Sequence, residues 1–366
     1  MSNPERDPLP PHQVPVGQLL GEELEMRGWS QADFAAVLDR PTQFVSEIVT
    51  GKKEITRESA AQIGAALGLT AEYLLRLQDQ YLLAEQGKNK AAQGKLEEVR
   101  RRALLNSKAP IQLLRKRGLL SGRTLDELEV EIMELLELRS LDAEPALAAA
   151  ARRGNQGEEI SVLQRTWVAC VRRAARALPP RRSYSATGLE NLAHSLSRTL
   201  KTSEAFSQLP KLFAEVGVRL VYVEMLPGGK IDGCAMYVDG YPVIGLSGRG
   251  QRLDKVLFTL LHEVAHILRG HVDRYRIIAE EIDDKGNQES TQEAEANRLA
   301  SQCLFPNGFP GIPARISSSW VDQAATELGV ARIVVVGYLQ YRKRLDWRTT
   351  FTKNAPNVSN ALGLWK

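Results

Sequence analysis

Residues 258–271 read Phe-Thr-Leu-Leu-His-Glu-Val-Ala-His-Ile-Leu-Arg-Gly-His, and the two histidines four places apart decide how the chain is read. Residues at that spacing share one face of a helix, so His262 and His266 can approach a single divalent ion together. Glu263 can reach an ion-bound water without being a ligand. Zinc lowers the pKa of such a water to roughly 7, and the carboxylate can take its proton as the water attacks a peptide carbonyl. The motif therefore offers two of three protein ligands and a general base.

The surrounding residues say where this helix lies. Val256, Leu257, Leu260, Leu261, Val264, Ile267 and Leu268 make the stretch from about Leu253 to Gly270 apolar nearly all round, which predicts a buried helix. Buried histidines need partners. A metal satisfies both; the alternative is a pair of core histidines bonded to backbone, with Glu263 in a salt bridge.

A third ligand should come from a later helix, with Glu280, Glu281, Asp283, Asp284, Glu289, Glu293 and Glu295 as candidates. Glu293 heads the small and apolar stripe Ala296, Ala300, Cys303 and Leu304, and a carboxylate leading an inward face is costly unless it meets a charge. Ser290 and Glu293 also have the spacing of a capping box, in which Glu293 would only cap its own helix. Spacing leaves the two readings open.

Upstream the pattern changes near Gly217 to the alternation of a strand. Gly233–Val238 and Tyr241–Leu246 flank Asp239-Gly240, a strong hairpin signal, and Pro242 suits an edge strand that could align an extended peptide by strand addition. The tail from Val321 to Leu339 is expected to be helical again. The middle third reads as helices with charged faces, among them an amphipathic helix over Leu125–Leu141 and a basic helix running to Pro179-Pro180. Pro145 and Gly154–Gly157 break the chain between them. Its arginine pairs and triplets are expected mainly to keep exposed faces solvated.

The N-terminal pattern is different again. After a first dozen polar, proline-rich residues expected to be disordered, Leu19, Leu20, Leu24 and Met26 predict a helix ending near Gly28. Ser30 and Asp33 form a capping box for a second helix, with Ala32, Phe34, Ala35 and Leu38 inward. Pro41 opens a third at its first position, with Phe44, Val45 and Ile48 inward. Two more complete a five-helix unit. Read as a helix-turn-helix, the unit would place its short third helix in the DNA major groove. Thr42, Gln43 and Ser46 are its candidate base contacts, and Lys52, Lys53 and Arg57 its candidate phosphate contacts. Yet Pro15–Gln78 holds six basic and nine acidic residues, a net of −3, unlike a strongly basic module. A helical domain for dimerisation or docking is the alternative.

Composition sets the bounds. The 366 residues are 43% hydrophobic and 25% charged with a formal net charge of +4, ordinary for a globular chain of two or three domains. No apolar run suits a membrane span or a signal peptide, so a cytoplasmic protein is expected. Cys170, Cys234 and Cys303 are scattered among apolar or small neighbours and read as buried reduced thiols.

Two resemblances follow from these motifs. FTLLHEVAHILRGH with EAEANRLASQCLFP, and the upstream GVRLVYVEMLPGGKIDGCAMYVDGYPVIGLSGRG, resemble the ImmA/IrrE metallopeptidase family over about residues 205–345. That resemblance implies zinc on His262, His266 and Glu293, Glu263 as catalytic base, and a helix-turn-helix repressor as the kind of protein cleaved. His271 lies one place later than the histidine often seen after this helix, and reads as a surface residue beyond the Gly270 cap. GQLLGEELEMRGWSQADFAAVL, VSEIVTGKKEIT and LGLTAEYLLRLQDQYLL resemble the XRE-type domain of HigA-like antitoxins over about residues 15–82.

The expected architecture is mainly α with a small β-sheet, an α+β fold. A helix-turn-helix domain spans 15–82, a helical middle region 83–204, a zincin-like peptidase domain 205–345 and a tail 346–366. The expected function is transcriptional regulation on operator DNA coupled to zinc-dependent, site-specific proteolysis. The target is a regulatory protein or the chain itself, in a mobile-element, toxin–antitoxin or stress setting, with a toxin partner or homodimer as further partners and no membrane. The competing reading is a HigA-like antitoxin or repressor whose zinc-peptidase fold is structural or a docking surface. A third is a peptidase with a substrate-binding helical arm and no DNA affinity.

Overall fold

The computed structural model describes residues 14–143, 160–178, 181–273, 278–280 and 291–365, the three residues 278–280 by backbone alone. The expected disordered N-terminus, the breaks at Pro145, Gly154–Gly157 and Pro179-Pro180, and the ligand candidates Glu281, Asp283, Asp284 and Glu289 with the Ser290 cap lie outside them. The chain divides into two compact units, Met1–Arg101 and Arg102–Lys366.

The first unit is built from α1 (Val16–Arg27), α2 (Gln31–Val37), α3 (Thr42–Val49), α4 (Arg57–Leu67) and α5 (Ala71–Lys88). Leu20, Leu24, Phe34, Val45, Ile48, Ile63, Leu67 and Leu74 fill its core. Ser30 and Asp33 form the predicted reciprocal cap at the start of α2. Gln78 is buried and holds the turn after α3 as a strand partner would. Its Oε1 accepts from the Ile55 N–H at 2.7 Å and its Nε2 donates to the Ile55 carbonyl at 3.1 Å. Three local expectations are corrected. Met26 and Ala32 face solvent. Pro41 is the N-cap of α3, in extended backbone at ψ 144°, because a residue with no N–H gives up nothing just outside the first turn.

The helix α6 (Lys90–Lys108) leads on in sequence, and its Leu105 is buried in the core of the second unit. There follow α7 (Ile111–Lys116), α8 (Leu125–Leu136), α9 (Val162–Arg176), α10 (Ala186–Thr199), α11 (Leu209–Glu215), β1 (Arg219–Tyr222), β2 (Gly233–Val238), β3 (Tyr241–Leu246) and α12 (Leu253–Leu268). After these come β4 (Ile278–Glu280), α13 (Thr291–Leu304), α14 (Ser318–Leu328), α15 (Arg332–Tyr341) and α16 (Ser359–Gly363).

The sheet has the order β1-β3-β2-β4, with β1 parallel to β3 and the other pairs antiparallel. Asp239 and Gly240, at φ 50° and 82°, form the predicted two-residue turn of the β2–β3 hairpin. Side chains alternate between two helical layers. Val221, Cys234, Met236, Val238 and Val243 join α8 and α9 around Trp167. Leu220, Ala235, Ile244 and Leu246 join α10 and α12. Helices of the middle third thus share a core with the sheet, and Val358, Ala361 and Leu362 near the C-terminus are buried in its other core.

Several expectations change here. β3 is a central strand, so no peptide can add beside Pro242 in the way an edge would allow. Pro242 is tolerated because β1 begins pairing only at Val243, leaving the missing N–H off the ladder. The helix expected over Leu125–Leu141 stops at Leu136. Glu137 turns into left-handed backbone at φ 53°, and its carboxylate meets Arg172 at 2.6 Å. The tail over Val321–Leu339 is helical as expected, in two helices divided at Gly329 (φ 69°). Nor are the middle-region arginines only solvating: Arg172 is buried and donates to the Leu135 carbonyl, and Arg117 donates to the carbonyls of Glu224 and Met225. Among the described residues no helix is long and apolar enough to cross a membrane.

Candidate metal centre

The helix α12 is buried along almost its whole length, and the small residues Ala296 and Ala300 let α13 pack against it. His262 and His266 project from α12 toward Glu293 in the first turn of α13. Their Nε2 atoms lie 2.9 Å apart. Glu293 Oε2 is 3.1 Å from His262 Nε2, and Oε1 is 3.2 Å from His266 Nε2. Among the described residues this is the one group of three or more potential ligands that can converge on a single ion.

The donor set fits zinc. Tetrahedral bonds of about 2.0–2.1 Å place neighbouring ligand atoms about 3.3 Å apart, within a few tenths of an ångström of the separations here. His262 Nδ1 donates to Asn297 Oδ1 at 2.9 Å, which leaves the His262 Nε2 lone pair facing the shared point. Burial pushes the His266 imidazole down to about 4, so at neutral pH that ring is uncharged, the state a metal ligand needs.

Glu263 is buried and lies on the flank of α12 that faces β2. There the sheet is cut back to a glycine: a Cβ on Gly233 would come within 2.6 Å of Glu263 Oε1. One helical turn before His262, the Phe258 ring stands 6.3 Å from the His262 ring and 5.4 Å from that of Tyr341.

Two residues near the ligands were not read from sequence as partners. Asn297 is four places after Glu293 and so shares its helix face, a signal the spacing did carry. His271 is not a surface residue. It is buried with Nδ1 3.0 Å from Nδ1 of His266, because the chain turns back at Gly270 instead of running out. Glu295 approaches His271 rather than the ligand cluster, and Glu280 lies in β4 with its side chain undescribed.

In the first unit, Thr42 and Gln43 are exposed on α3 and Ser46 is half-buried, while Lys52, Lys53 and Arg57 are exposed just beyond. Gln43 Nε2 donates to Glu47 at 2.9 Å, and the Lys53 ammonium sits 5.0 Å from the centre of the Phe44 ring. All three cysteines are buried free thiols, as expected.

Two family models match separate stretches of the chain. Residues 217–336 match the Peptidase_M78 family, described as the IrrE N-terminal-like domain, and residues 20–74 match the Helix-turn-helix family HTH_3. A solved structure of an addiction module antidote protein of a HigA family from Coxiella burnetii is 31% identical over 24% of this chain and 94% of its own, with a TM-score of 0.22. No curated protein matches the chain. The protein thus joins an XRE-type helix-turn-helix domain of the DNA-binding kind to a peptidase-like domain of the IrrE type.

Proposed function

We propose that this protein is a DNA-binding regulator that cleaves a regulatory protein, or itself, with a zinc-dependent endopeptidase site. The observation that carries the reading is the convergence of His262, His266 and Glu293 on one point beside a buried Glu263. In this proposal residues 15–82 hold operator DNA and residues 205–345 the peptidase site. Of the helices before residue 204, α8 and α9 pack on one face of the latter's sheet and α10 on the other.

His262, His266 and Glu293 would hold the ion. When bound, zinc supplies a Lewis acid that polarises a peptide carbonyl and acidifies water. Glu263 takes a proton from the attacking water at its carboxylate, as the water oxygen bonds to the carbonyl carbon. It returns that proton to the amine nitrogen as the C–N bond breaks. Asn297 orients the His262 ring. Phe258 and Tyr341 form an aromatic wall one turn from His262, placed to exclude water and contact substrate side chains. An intact carboxylate at 263 favours catalysis over a purely structural site, which needs no general base.

The test compares wild type with Glu263→Gln, each loaded with zinc. The wild type should cleave a repressor captured by the Glu263→Gln protein, or its own chain, and the variant should bind without cleaving. Equal absence of cleavage by both, with zinc bound and operator DNA held, would leave the repressor or antitoxin reading in its place.

A further inference from the structure

We infer that Glu295 and His271 form a hydrogen-bonded chain that fixes the tautomer and pose of His266, making His271 a positioning residue for the metal centre. The inference rests on the metal reading above. Its geometry begins with the end of α12. Gly270 adopts left-handed backbone at φ 66°, the His271 N–H bonds to the His266 carbonyl at 3.0 Å and the Gly270 N–H to the Ile267 carbonyl at 3.1 Å. This is the double-bonded glycine cap that folds a chain back over its own last turn. It carries the His271 ring to within 5.1 Å of the His266 ring, centre to centre.

The chain of contacts has one consistent direction. Glu295, a carboxylate, can only accept, and its Oε2 lies 3.4 Å from His271 Nε2. Arg269 and Arg298 flank its other oxygen at 3.6 and 3.9 Å, two cations that hold the carboxylate in place. His271 therefore carries its proton on Nε2 and presents a lone pair at Nδ1. That lone pair is 3.0 Å from His266 Nδ1, so His266 must donate there; the opposite tautomer would set two lone pairs against each other in a buried site. The result leaves the His266 Nε2 lone pair facing Glu293 and His262. His262 is held the same way by Asn297. Each imidazole thus has its far nitrogen tied to a separate acceptor, the arrangement that raises ligand basicity and fixes ring orientation in zinc sites.

The test measures zinc affinity by competition with a chelator in the full chain, using His271→Leu and His271→Asn. Leucine fills the space without an acceptor. Asparagine places Oδ1 where Nδ1 stands and keeps one. The account expects His271→Leu to bind zinc about tenfold to a hundredfold more weakly, His271→Asn to stay near wild type, and the two metal-free variants to melt alike. Three results would overturn it: wild-type affinity in both variants, equal loss in both, or loss that tracks metal-free stability. A wild type that takes up no zinc would remove the metal reading together with this inference, whereas normal uptake in the wild type and both variants removes the inference alone.

Discussion

Gly233 of β2 lies so close to Glu263 of α12 that a single added carbon at its Cβ position would stand 2.6 Å from Oε1 and 2.9 Å from the Thr259 methyl. A methyl group there must push the Glu263 carboxylate aside. Gly233→Ala is therefore expected to leave zinc content unchanged and lower peptide cleavage by about a hundredfold, the effect of misplacing a catalytic group by about 1 Å. Unchanged cleavage in a zinc-loaded Gly233→Ala protein would show that Glu263 does not act from this position.

Acid should destabilise the metal-free protein through His266. Burial holds that ring's folded value at about 4, below its ordinary value of 6.5, so between those limits the unfolded chain binds more protons than the folded one. The contribution is fully present above 6.5 and is lost as pH falls toward 4, by roughly 3 kcal/mol at most. Denaturant titrations of metal-stripped wild type and His266→Gln at several pH values check this. The difference between the two should shrink as pH falls.

DNA affinity should depend on salt through the residues after α3. Lys52, Lys53 and Arg57 are exposed. Lys53→Ala is expected to weaken binding to all sequences alike and to lower the salt-dependence slope by about 1. A mobility assay at several salt concentrations reads both, and an unchanged slope would remove Lys53 from the phosphate contacts.

The cysteines should be silent toward thiol reagents while the protein is folded. Burial pushes the thiols of Cys170 and Cys303 up to about 11 and raises that of Cys234 as well. Alkylation at about pH 8 followed by mass spectrometry should modify none of them until denaturant is added, since only exposed thiolate reacts. Rapid labelling of the native chain would contradict their placement.

Much of the site was legible because its signals are local. The four-residue spacing of His262 and His266, the stripe running from Glu293 through Ala300, the Asp239-Gly240 turn and the Ser30 cap each depend on a few neighbouring residues. What escaped depends on residues far apart in sequence. Pro242 reads as an edge strand by its own chemistry, and only the register of β1 shows why a central strand tolerates it. The arginine-rich middle helices look solvated until Arg117 and Arg172 are seen holding carbonyl groups of other elements. His271 follows a glycine cap, which in sequence marks the end of a helix but not the direction in which the chain turns.

The most direct measurement is metal content. Purified protein supplied with zinc and then desalted should retain one zinc per chain, and Glu293→Gln and His262→Ala should each retain far less while staying folded. A wild-type chain that is folded, undamaged and still metal-free after zinc is offered would contradict the account at its centre.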